Sequence, residues 1–229
     1  GQTWPQVEHV VIDGASTDGT LPILQAHQAQ LAALVSEPDQ GIYDALNKGI
    51  RRASGDVVGF LHADDLFESP DSLARVAAAF ADPAVDAVYG DLVYVRQHDP
   101  TQVVRYWRAG PFVPGCLARG WMPPHPTFYV RRAVYERLGL FDTRFRIAAD
   151  YECILRFLGR GGVRPVYLPQ VLVRMRLGGV SNQSLGSMVR KSREDLVAMQ
   201  LNGVGGMQVL LRKNLTKLPQ FVTRAPAGI

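Results

Sequence analysis

The chain has 229 residues, 47% of them hydrophobic, enough to close one substantial core in a single α/β domain. No run reaches the roughly 18 uninterrupted apolar residues of a membrane span, and the opening residues GQTWPQVEH have neither the basic nor the apolar region of a signal peptide, so a cytoplasmic protein is expected. Two cysteines, Cys116 and Cys153, exclude a disulfide framework, and the net charge of +4 is uneven: seven Lys/Arg against two acids from Arg190 onward, behind a body with 18 bases and 19 acids.

In chain order, Gln6 to Asp13 reads as a buried strand, and Ser16 to Gly19 as a turn and cap opening a helix from about Thr20 to Leu34. A short strand over Ala33 to Ser36 overlaps its end. Ile42 to Ala53 has helical spacing of its apolar positions, and Ser54-Gly55-Asp56 stops it before a strand at Val57 to Leu61. A helix over Ser69 to Ala81 and a strand over Ala87 to Val95 follow. This alternation predicts a mostly parallel sheet with helices on both faces. Gly110 to Pro126, with five prolines, is a loop placed to cover a pocket. Residues 1–189 read as the catalytic domain and 190–229 as a basic, amphipathic helical tail.

In such sheets ligands bind beyond the carboxyl ends of the strands, where Asp13, Asp64 and Asp65 fall. Each acid also has a plainer reading. Asp13 in VVIDGASTDGT serves equally as a turn cap. Asp64 and Asp65 in VVGFLHADD offer hard oxygen ligands to Mg2+ or Mn2+, or cap the loop before Ser69. Asp44 and Lys48 are four apart on one helix face, and a surface pair worth ~0.3–0.5 kcal/mol is the preferred reading of Lys48. In RIAADYECILRF, Asp150 and Glu152 stand where an apolar segment becomes a helix. A carboxylate there works as a base held ionised by the helix dipole, or as an N-cap, or as both.

Together with SEPDQGIYDALNKGIRRASGD (Ser36 to Asp56), YGD, HPTFYVRR, GLFDTRF and LGGVSN, these blocks resemble the inverting, nucleotide-sugar-dependent glycosyltransferases of family 2, which have the GT-A fold. The resemblance runs from Trp4 to about Ser181 and is strongest to bacterial enzymes that build cell-surface polysaccharide. It implies a nucleoside-diphosphate sugar donor, UDP-linked, bound by Asp13, Asp39, Asp44 and Asp64. It further implies a divalent metal, Mg2+ or Mn2+, on Asp64, and Asp150 as catalytic base with Glu152 as its neighbour. Asp91, His125 and Glu152 are expected to face the donor or acceptor sugar, and the Leu177 to Asn182 turn to close the site. The acceptor class implied is a glycan or polyprenyl-linked sugar, and no nucleic-acid partner is expected.

His62 stands where the family has the first Asp of its D-x-D motif. Family members also have a strand and helix ahead of the segment equivalent to Gln2, so the chain is expected to be N-terminally incomplete. Two rival readings follow: a nucleotidyltransferase of similar fold, and an inactive sugar-nucleotide-binding remnant. The basic tail, interleaved with Leu196, Val197, Met207, Leu210, Leu211, Leu215, Leu218 and Phe221, suits peripheral contact with an anionic membrane at the inner face of the plasma membrane, or else a helix packed on the core.

Overall fold

The computed structural model describes residues 1–178 and 185–215. The chain opens with a β-α-β unit. Strand β1 (Val10–Asp13) pairs in parallel with β2 (Ala33–Ser36), joined by α1 (Thr20–Ala26) and a 3₁₀ turn at Gln28–Gln30. The α1 helix is half the expected length. None of its side chains is buried, so no apolar stripe holds it beyond two turns. Helix α2 (Ile42–Arg52) follows, burying Tyr43, Asn47 and Ile50.

A second sheet of six strands carries the core. Its members are β3 (Val57–Val58), β4 (Leu66–Phe67), β5 (Ala87–Val95), β6 (Val103–Trp107), β7 (Tyr129–Arg131) and β8 (Pro165–Arg176). The order is β3-β7-β5-β8-β4, with β6 also on β5. Along one edge β5 pairs with β8. Along the other it pairs first with β7 and then with β6. Its sequence AVYGDLVYV is almost continuously buried because both faces are covered. Val88 and Leu92 face the layer of α3 (Ser72–Ala79), where Val76, Phe80, Leu172 and Val173 pack. Ala87 and Tyr89 face the larger layer with Val130, Val134, Tyr151, Ile154 and Phe157.

The α/β class stands, but the sheet is mixed rather than mostly parallel. Among the described residues, β1–β2 and β5–β8 are parallel and the other four pairings antiparallel. The strands that make it so, β3, β4, β6 and β7, have two to five residues, too few to carry a periodic signal.

Four more helices complete the described chain: α4 (Arg132–Leu138), α5 (Ala149–Leu155, continuing as a π-helical turn over Arg156–Arg160), α6 (Leu185–Leu201) and α7 (Met207–Leu215). The expected boundary between residues 189 and 190 falls inside α6, whose Ala198 and Met199 are fully buried in the core. Among the described residues, no helix is long and apolar enough to cross a membrane. The expected closing turn lies outside the described residues beyond Gly178, as do Lys217, Leu218, Phe221 and Arg224 in the tail.

Candidate active site

The carboxyl ends of β1 and β2 form an acidic corner. Asp13 is buried, and its Oδ2 accepts from the Ser36 hydroxyl at 2.6 Å and the Ser16 amide at 3.1 Å. Hydrogen bonds from Ser16 and Ser36 hold its carboxyl below the usual range, against the opposing effect of burial. Asp39 closes over the next residue: a Cβ at Gly14 would lie 2.4 Å from Asp39 Oδ2, so a larger residue there would push the Asp39 carboxylate aside. Ala15 then turns with φ 62°, a left-handed conformation that costs a non-glycine residue about 1 kcal/mol. The loop bearing Asp39 is pinned by Lys48, whose Nζ donates to the Pro38 carbonyl at 2.8 Å and pairs with Glu37 at 3.1 Å. The expected Asp44–Lys48 pair is present at a looser 3.6 Å. Asp44 Oδ2 also accepts the Gln40 amide at 3.1 Å, closing the start of α2.

The HADD segment lies between β3 and β4. Asp64 is exposed and Asp65 buried, with Asp65 Oδ2 lacking a hydrogen-bond partner among the described residues. Burial, then the charge of Asp64, push the Asp65 carboxyl up to about 7. No group of three or more His, Cys, Asp or Glu that could hold a metal is found among the described residues. The exposed Asp64 carboxylate nevertheless suits a magnesium-type ion, which can be held by one carboxylate and takes most of its ligands from phosphate and water.

Asp150 is the second residue of α5. Its Oδ1 lies 3.0 Å from the Tyr43 hydroxyl, which also donates to the Ile147 carbonyl at 2.7 Å. One proton is thus shared between two acceptors. Burial alone would raise the Asp150 carboxyl, but His125, Lys191, the Tyr151 amide and Lys213 outweigh it and hold it below the usual range. His125 is buried, stacked on Phe60 with centroids 5.6 Å apart, edge-on to Phe141, and 6.2 Å from the His62 ring. Its Nε2 has no hydrogen-bond partner among the described residues. The first turn of α2 thereby links the Asp39 corner to Asp150, and His125 and His62 link Asp150 to the HADD segment.

Burial pushes the His125 imidazole down to about 4, opposed by the charge of Asp150. A histidine depressed in the folded state takes up its proton first in the unfolded chain. Its contribution to stability is therefore complete above about pH 6.5 and lost as pH falls toward 4. That loss is at most about 3 kcal/mol. His125→Gln is expected to flatten the pH dependence across this window, read by urea unfolding at pH 7.5 and 4.5. An unchanged slope would mean that His125 titrates normally.

Two expected substrate residues lie elsewhere. Asp91 is 1% exposed, and both its oxygens are taken by protein donors: Oδ1 by the Ala109 amide and the Tyr167 hydroxyl, each at 2.8 Å, and Oδ2 by the Tyr106 hydroxyl. It ties β5 to β6 and β8 and offers a sugar no free oxygen. Glu152 pairs with Arg156, Nε to Oε1 at 3.0 Å, and the same guanidinium donates to the Leu138, Gly139 and Leu140 carbonyls. That carboxylate anchors α5 to the loop after α4. Sequence reading missed Tyr43, Glu194 and Lys213, which touch Asp150, its loop and its neighbour Tyr151. Only Tyr43, inside the quoted DQGIYDALNKG block, carried a sequence signal at all.

The family model described as Glycosyl transferase family 2 matches residues 1–147. A relative from Mycobacterium tuberculosis, named as an uncharacterized glycosyltransferase, is 35% identical over 159 residues, which cover 66% of this chain and 57% of the relative. The chain therefore spans little more than half the length of that protein. Among solved structures, the mannosyltransferase PcManGT of Pyrobaculum calidifontis, in complex with GDP-Man and Mn2+, has a TM-score of 0.63 at 25% identity, over 96% of this chain and 66% of that one. Staphylococcus aureus TarS, in complex with UDP-GlcNAc, has a TM-score of 0.65 at 18% identity over 95% and 66%, a likeness of fold alone. A sequence match over most of the chain, together with this likeness of fold, makes the protein a member of glycosyl transferase family 2 with the GT-A fold.

Proposed function

We propose that the chain is the catalytic part of an inverting glycosyltransferase that moves a sugar from a UDP-linked donor to a hydroxyl of a glycan or polyprenyl-linked acceptor in cell-surface polysaccharide synthesis. The observation that carries this reading is the linkage of three acidic segments, at Asp13–Asp39, HADD and Asp150, through α2 and the His62–His125 pair. In this reading Asp13 and Asp39 grip the nucleoside, while Asp44 holds the start of α2 that shapes the pocket. Asp64 would hold Mg2+ or Mn2+, supported by the Mn2+ in the mannosyltransferase neighbour. Such an ion supplies charge neutralisation for the departing diphosphate. Asp150, ionised, takes the proton of the acceptor hydroxyl as that oxygen bonds to the anomeric carbon and the nucleoside diphosphate leaves from the opposite face.

The test is a panel of UDP-glucose, UDP-GlcNAc and GDP-mannose with Mn2+ and a polyprenyl-linked sugar, read by phosphate products and by the anomeric configuration of the glycan. Release of nucleoside diphosphate with inversion is expected. Pyrophosphate release would favour a nucleotidyltransferase, and nucleotide binding without turnover a remnant.

The C-terminal helices support a peripheral site of action at an anionic, cytoplasmic membrane face. Met207, Leu211 and Leu215 make one exposed stripe on α7, at 57%, 58% and 63% exposure, with Arg212 beside it. Arg190 and Arg193 are exposed on α6. Lys191 and Lys213 instead pair with Asp195 inside the fold, so the outward charge is smaller than the sequence count suggests. Flotation with phosphatidylglycerol vesicles is expected to carry the protein upward at low salt, and Met207→Gln/Leu211→Gln/Leu215→Gln to abolish this. Failure of the intact chain to float would remove the membrane from the proposal.

A further inference from the structure

The α5 helix begins without a cap of its own. Its N-cap, Ala148, has no side chain that could bond the first turn, and backbone amides leading into a helix need acceptors. The amides just ahead of α5 find one on another helix. Glu194 of α6 takes three consecutive backbone amides ahead of α5: Arg146 at 3.1 Å through Oε1, and Ile147 at 2.8 Å and Ala148 at 2.9 Å through Oε2. The carbonyl of Ile147 is held by Tyr43, the residue whose hydroxyl also reaches Asp150. The peptide units two and three residues ahead of Asp150 are therefore fixed from both sides, by α6 through their donors and by α2 through an acceptor.

Asp195 secures the helix that delivers Glu194. It is 2% exposed and pairs with Lys213 of α7 at 2.8 Å and Lys191 at 3.2 Å, and Lys213 Nζ sits 3.2 Å from the centroid of the Tyr151 ring. The α5 start is thus gripped at Ala148 by α6 and at Tyr151 by α7.

We propose that Glu194 is a positioning residue for Asp150, setting the loop that aims the carboxylate at the acceptor hydroxyl. The inference rests on the reading of Asp150 as base. A displacement near 1 Å at a reacting group costs about a hundredfold in rate, so a loop held by three bonds to one carboxylate is sensitive to its loss.

The test compares Glu194→Ala, Glu194→Gln and the remote core variant Val76→Ala. Three readouts are used: amide hydrogen exchange of residues 146–148, calorimetric UDP binding with Mn2+, and kcat and donor KM with the three nucleotide sugars named above. Glu194→Ala should speed exchange of the three amides at least tenfold and lower kcat at least tenfold, with UDP affinity and donor KM within twofold. Glu194→Gln keeps an oxygen for Ile147 and Ala148 and should fall between. Val76→Ala, destabilised in a different layer, should lower the melting temperature while leaving these amides and kcat unchanged. Protection of residues 146–148 that persists in Glu194→Ala overturns the proposal, whether or not a donor turns over. So does a kcat within twofold of wild type, or a loss of UDP affinity equal to the loss of kcat. Should Asp150→Asn turn over normally while Glu194→Ala loses protection, the reading of the base fails instead, and the two failures are told apart.

Discussion

Asp150→Asn is expected to lower glycosyl transfer by about a thousandfold or more, while the affinity for UDP and Mn2+ stays within about twofold. The substitution keeps the size of the side chain and an oxygen for the Tyr43 hydroxyl, so the start of α5 keeps its geometry. What it removes is basicity, and a positioned general base contributes roughly 100- to 10,000-fold. The neighbouring positive charges and the Tyr151 amide hold the wild-type carboxyl below the usual range despite its burial. Asp150 is thus ionised throughout the neutral range, and if it is the base, the acid limb of the wild-type rate is expected below that of an ordinary carboxylate. Steady-state assays from pH 5 to 9 check both points. Activity within tenfold of wild type would remove Asp150 from the role of base, and a matching loss of nucleotide affinity would make it a structural cap.

Asp64→Ala is expected to weaken Mn2+-dependent UDP binding by about a hundredfold, and Asp65→Ala by far less, measured by calorimetry with and without chelator. The asymmetry follows from the two environments. Asp64 presents its carboxylate to solvent, where a diphosphate and its metal would arrive, whereas Asp65 is buried and its carboxyl is pushed up to about 7, leaving it partly protonated near neutrality. Equal effects of the two substitutions, or UDP affinity indifferent to chelator, would reject a metal on Asp64. Charge compensation by basic side chains would then replace it. Arg131 is a poor candidate for that task, because its guanidinium is occupied by the Val85, Phe80 and Asp82 carbonyls.

Much of the fold was legible in the sequence wherever a local signal was long enough to repeat. Strand β5 was read with its true bounds, Ala87–Val95, because nine residues buried on both faces leave a continuous apolar run. The α2 helix was read to within a residue, because its buried positions recur at helical spacing. The acidic corner at Asp13 was also legible, since an apolar run ending in Asp-Gly before a turn marks a carboxylate at a strand end. The same sequence misread Asp91 and Glu152 as facing substrate. Acid identity and motif position do not say which donors will meet a carboxylate, and Asp91 met two tyrosines and an amide from segments up to 76 residues away.

The sequence alone therefore determined the α/β class, the family, the long elements and the acids at the strand ends, because these depend on neighbours within a few residues. Only the tertiary structure decided that the sheet is mixed, that Lys213 and Asp195 are core residues and not part of a solvated tail, and that Glu194 holds the loop of Asp150 across 46 to 48 residues of chain. The physical reason is the same in each case: a buried charge or a short strand is stable only through partners distant in sequence, and no local pattern records which partner that will be.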